Sequence, residues 1–210
     1  MQTINFRDCT LVKVEKLFGL HEVKYSEKLK EWLAMPYNLD DFEKKYLLRL
    51  QNELNFNIFH WNEQELSLNF IGPIFSFVDF SNEKFNSFAS RLISIKIDDF
   101  ILSGIPDGMV ASGKREPEIP FFCFQEYKKE SEPDGHPAGQ VLAAMYAGAV
   151  LNDNQSAVYG CYNIGKSWAF LVLENKKYCI SHVYTVDDEE IFDVYRILQN
   201  LKTIITNLVN

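Results

Sequence analysis

Residues 104–130 read GIPDGMVASGKREPEIPFFCFQEYKKE, and the fold turns on how this stretch divides into strands. Side chains alternate across a β-strand. In FFCFQEYK that places Phe122, Phe124, Glu126 and Lys128 on one face, with Cys123, Gln125 and Tyr127 on the other. Two charged side chains therefore continue a row of phenylalanines. A charge leaving an apolar core costs free energy unless it is paired, hydrated or bound to metal, so this strand end is expected to project a carboxylate and an ammonium into a site. Upstream, Pro106 ends ladder pairing after FILSG and redirects the chain. The strand that follows, DGMVAS, forms a hairpin with the Glu126 strand and brings Asp107 beside Glu126, although eighteen residues separate them.

Two carboxylates on neighbouring strands suit a hard cation. Mg²⁺ keeps several waters and prefers a few carboxylates plus substrate phosphate oxygens. Lys128, close to a metal-bound water, could lower its pKa or stabilise charge growing on phosphorus. The plainer alternative is a surface salt bridge among Asp107, Glu126 and Lys128, and such pairs stabilise by only about 0–1 kcal/mol.

The flanking sequence gives the expected order of elements. Phe42, Tyr46, Leu47, Leu50 and Leu54 recur at helical spacing over roughly 39–54. Residues 1–60 read as a largely helical N-terminal extension packed on a core made by residues 61–210, all in one compact domain. Asn62 and Glu65 have capping-box spacing and start a second helix, which Pro73 should bend or end. LISIKI, FILSG, DGMVAS and FFCFQEYKKE then form a meander of adjacent strands. SEPDGHPAG is a loop, QVLAAMYAGAVLN a crossover helix with small residues for close packing, and SAVYGCYNI, WAFLVLE and KYCISHVYTV three further strands. The closing helix is acidic at its start and carries Ile191, Val194, Tyr195, Leu198, Leu201, Ile205 and Leu208 on one face.

Pro106-Asp107, eighteen residues, then Glu126-x-Lys128 resembles the signature of the PD-(D/E)XK nuclease superfamily, which includes restriction endonucleases, and the resemblance spans roughly residues 60–165. It implies an α/β (α+β) fold with a restriction-endonuclease-like core: a central mixed β-sheet flanked by helices, here with an N-terminal helical extension and a C-terminal helix. It also implies a metal-dependent nuclease, with Asp107 and Glu126 binding Mg²⁺ or Mn²⁺ and Lys128 at the attacking water. Many members carry a glutamate on the helix before the meander. Glu65, or less readily Glu63, matches it as a further metal or water contact, while Glu65 equally fits the capping box. RecB-related branches place a glutamine at the start of the crossover helix, where Gln140 stands; their tyrosine four positions later is Ala144 here, and the nearest is Tyr146.

Other candidates weigh less. Pro133-Asp134 repeats the motif's letters in a loop and reads as turn chemistry. His136 is close enough in sequence to assist, but a loop histidine is more often simply exposed. Trp61 and Trp168 read as packing residues. Cys9, Cys123, Cys161 and Cys179 have neither zinc nor disulfide spacing and are expected to be reduced and partly buried. Charges at Arg7, Asp8, Lys13, Glu15 and Lys16 leave no room for a signal peptide, and no segment approaches the roughly 18 apolar residues of a membrane span. A cytosolic protein is expected.

A net charge of −8 argues against tight non-specific binding to DNA. Local cations at Lys44, Lys45, Arg49, Lys114, Arg115, Lys128 and Lys129 leave such binding open. The leading expectation is hydrolysis of DNA phosphodiesters. The competing ones are a non-catalytic binding or regulatory module on the same fold, and an enzyme for RNA or small nucleotides. A homodimer is plausible, since nucleases that cut both strands often pair about a two-fold axis.

Overall fold

The computed structural model describes residues 2–131, 133 and 135–210. The N-terminal third contains β1 (Gln2–Asn5), a 3₁₀ turn (Phe6–Asp8), α1 (Leu11–Phe18), β2 (His21–Glu22), α2 (Glu27–Ala34) and α3 (Asp41–Asn57). Next come α4 (Glu63–Leu66), a π turn (Ser67–Ile71) and α5 (Gly72–Val78), then β3 (Asn86–Ala89), β4 (Ile93–Ile97), β5 (Phe100–Gly104), β6 (Gly108–Ser112) and β7 (Glu118–Lys128). The crossover helix α6 (Pro137–Leu151) leads to β8 (Val158–Ile164), β9 (Ser167–Glu174), β10 (Lys177–Ile180), β11 (Tyr184–Thr185) and α7 (Glu190–Leu208).

These elements make a mixed α/β architecture around a central sheet of order β2-β10-β9-β8-β7-β6-β3, with β11 also paired to β9. β7 and β8 run parallel, as their connection through α6 requires, while β6–β7, β8–β9 and β9–β10 are antiparallel. One face of the sheet is covered by α2, α3, α5 and α7, with Trp32, Leu54, Phe75 and Leu198 in its core. The other is covered by α6, α1 and a second, three-stranded sheet of order β1-β5-β4. α6 is buried on nearly every side, consistent with its alanines and glycines. A Cβ at Gly148 would collide with the Phe124 ring, so glycine there lets the helix sit directly on β7. Among the described residues, no helix is long and apolar enough to cross a membrane.

Several features depart from the sequence reading. The meander is broken: β4 and β5 pair with each other but not with β6. The reason lies at the other end of the chain, where β1 pairs parallel with β5 and takes the edge a continuous meander would have offered to β6. Residues 1–60 thus supply strands to both sheets as well as helices. Second, Pro73 does not end its helix. The Gly72 N–H bonds to the Ser67 carbonyl across the wider π turn, and the helix continues to Val78. A Cβ at Gly72 would stand 2.9 Å from that carbonyl oxygen, so glycine fits the tightened contact. Third, Phe122 does not share a face with Phe124. The β6–β7 register shifts between Val110 and Ala111, which pair with Cys123 and Phe121, and the bulge turns Phe122 to the opposite core. Beyond the bulge the alternation holds. Leu208, expected on the apolar face of α7, is half exposed in its last turn.

Candidate active site

β6 begins one residue after Asp107, and Gly108 pairs with Gln125, so the antiparallel register sets Asp107 opposite Glu126. The Asp107 carboxylate accepts the Tyr127 backbone N–H at 2.7 Å, which fixes it against the end of β7. From the same strand Lys128 Nζ donates to Glu126 Oε1 at 2.9 Å, and both residues are buried, at 8% and 7% exposure. Gln140, in the first turns of α6 and 4% exposed, lies across Glu126. Hydrogen-bond complementarity orients its amide: the nitrogen donates to Glu126 Oε1, and the oxygen accepts the His136 backbone N–H at 3.1 Å. Asp107, Glu126, Lys128 and Gln140 therefore line one cleft of about 280 Å³, as their sequence positions implied.

Glu65 is not among them. Its carboxylate accepts the Asn62 N–H at 2.9 Å while Asn62 Oδ1 accepts the Glu65 N–H at 2.9 Å, a reciprocal cap that holds it in solvent. Two residues earlier, on another side of the helix, Glu63 lines the cleft with its carboxylate 3.9 Å from Lys128 Nζ. The expected ligand trio of Asp107, Glu126 and Glu65 is thus not formed. The capping spacing itself carried the signal, since a carboxylate engaged with its own helix end is withdrawn from other work.

The cleft also holds residues the sequence reading missed. Asn5 reaches it from the end of β1, Phe6 and Arg7 from the turn that follows, and Ile105 from the link between the two sheets. Only the long-range pairing of β1 with β5 delivers Arg7 here, and no local pattern announces it. The remaining candidates lie elsewhere. Trp168 is fully buried and Trp61 packs against the core, as expected. His136 is exposed, Tyr146 packs on Phe18, and the four cysteines are free and buried. Asp134 lies outside the described residues.

Three carboxylates surround one ammonium, and this sets the electrostatics. Burial and the neighbouring Asp107 charge push the Glu126 carboxyl up to about 7, against the opposing pull of Lys128. Asp107 is also raised, by burial, although the Tyr127 N–H and Lys128 oppose it. Burial disfavours the charge on Lys128, yet its hydrogen bond to Glu126 and the attraction of Glu126, Glu63 and Asp107 outweigh this and raise its pKa. The cleft thus has more negative charge than it can hold comfortably, and either a proton or a cation relieves it. Among the described residues no group of three or more His, Cys, Asp or Glu side chains is placed to hold a metal ion. The adjacent pair Asp107 and Glu126 fits a cation that takes few protein ligands and keeps its waters, which describes Mg²⁺ better than Zn²⁺. Set against known proteins, the chain matches no family model and no curated protein.

Proposed function

We propose that this cleft hydrolyses nucleic-acid phosphodiesters, DNA foremost, with Mg²⁺ or Mn²⁺ held by Asp107 and Glu126. The observation that carries the reading is the buried Glu126–Lys128 pair, set beside Asp107 at the ends of two neighbouring strands. The order of a helix, paired strands, a crossover helix and a parallel strand supports a restriction-endonuclease-like core around it. When bound, the cation supplies an acidified water and a positive centre for the phosphate. Lys128 would orient the attacking water through its ammonium and offset negative charge as the phosphorus centre becomes crowded. Glu63 helps keep Lys128 charged, Gln140 holds the Glu126 carboxylate in place, and Arg7 lines the same cleft. The net charge of −8 favours the second reading, a nuclease-like fold that binds without cutting.

The test is cleavage of single- and double-stranded DNA and RNA with Mg²⁺ or Mn²⁺, comparing the native protein with Asp107→Ala and Lys128→Ala. Product should require the cation and fall at least about a hundredfold in both variants. Absence of product on every substrate would leave the binding reading in possession.

A further inference from the structure

The last residues of β7 have a second face, and it too is polar. Gln125 is 2% exposed. Its Oε1 accepts the Tyr127 hydroxyl, while its Nε2 finds no hydrogen-bond partner among the described residues. A buried donor left unpaired destabilises the free protein and marks a place where an acceptor is missing. Gln125 lines a pocket of about 240 Å³ between β6, β7 and α5. Glycine at 108 makes room for it, since a Cβ there would collide with Gln125 Oε1.

The walls of this pocket are aromatic and its rim is hydroxylated. Phe75 and Tyr127 stand with ring centroids 6.2 Å apart, and Ser76, Ser81 and Ser87 surround the mouth. A cavity of about 150 Å³ accommodates benzene, so this one has room for a larger planar heterocycle. Such a ring presents faces to the aromatic wall and edge acceptors to Gln125 Nε2 and the serine hydroxyls. Asp107 lines this pocket and the charged cleft alike. A phosphodiester seated beside Lys128 would therefore have its neighbouring sugar and base within reach of the aromatic pocket.

We infer that the Gln125 pocket receives a nucleobase of the nucleic-acid strand next to the phosphate held at Asp107, with Gln125 Nε2 donating to an acceptor on the base edge. The inference deepens the phosphodiesterase reading and rests on it. The probes are adenosine, guanosine, cytidine, uridine and thymidine, which have no phosphate and so do not need the charged cleft. Saturation-transfer NMR should show base protons closer to the protein than sugar protons. The signal should fall at least fivefold in Gln125→Leu and in Ser76→Trp, which plugs the exposed rim, and persist in Glu126→Gln. No saturation of any nucleoside, or a signal unchanged in both pocket variants, overturns the inference. The two readings fail separately: nucleoside binding through Gln125 without cleavage retains the base pocket and removes the hydrolase, whereas cleavage without nucleoside binding does the reverse.

Discussion

Phe121–Phe124 and Gln125–Lys128 are consecutive quartets of one strand, and every residue in both is 8% exposed or less. Their chemistry is opposite. The first quartet sends aromatic rings and a thiol into the cores on both faces of the sheet, and Phe121 and Phe124 stack at 6.0 Å beneath α6. The second sends a carboxylate and an ammonium to one face and a carboxamide and a phenol to the other, with one donor unpaired. Burial at the first quartet is a source of stability. At the second it is an expense, because desolvating charges and amides is repaid only in part by their mutual contacts. The exposed Lys30–Glu27 pair, at 3.7 Å, has no such tension and contributes little either way. A strand that keeps costly groups buried directly beyond an ordinary core has a use for them there.

The comparison can be broken at either quartet. Phe124→Ala should destabilise most, by about 3–5 kcal/mol in urea unfolding, because α6 rests on that ring. Next, Lys128→Ala leaves Glu126 buried without its cation and should cost about 3 kcal/mol. The paired replacement Glu126→Gln with Lys128→Met removes both charges and should be neutral or stabilising, by up to about 2 kcal/mol. If the paired replacement were as damaging as the single one, the second quartet would be a stabilising element like the first.

A smaller effect follows from pH. Glu126 is raised from 4.5 to about 7 in the folded protein, so the folded state holds this proton more tightly than the unfolded chain. The associated stability is fully present below 4.5 and lost as pH rises through about 7; Asp107 acts in the same direction. Lys128, also raised, contributes stability that is fully present below its ordinary 10.5 and lost only above it, so it adds no slope in this window. Unfolding free energies from urea titrations should fall between roughly pH 5 and pH 8 by on the order of 2 kcal/mol, and Glu126→Gln should flatten most of that slope.

Much of the charged cleft was legible because its parts are either on one strand or adjacent across one hairpin. Alternation puts Glu126 in phase with Lys128, Pro106 breaks the ladder before Asp107, and Gln140 begins the next helix. The turn Asn175-Lys176, with φ of 51° and 60°, which joins β9 to β10, is likewise local. What escaped depends on contacts between distant residues. Arg7 enters the cleft because β1 claims the edge of β5, nearly a hundred residues away in sequence. The bulge at Phe122 arises from the β6–β7 pairing, and no periodicity within β7 alone reveals it. Glu63 and Glu65 were separable in principle, since the cap that starts the helix also withdraws Glu65.

The most direct test of the account is a calorimetric titration of the protein with Mn²⁺, repeated on Asp107→Asn and on Glu65→Gln. The account predicts one site in the native protein, weakened at least about tenfold in Asp107→Asn and unchanged in Glu65→Gln. Absence of Mn²⁺ binding, or binding that Asp107→Asn leaves intact, would contradict it and reduce the charged end of β7 to a buried ion pair.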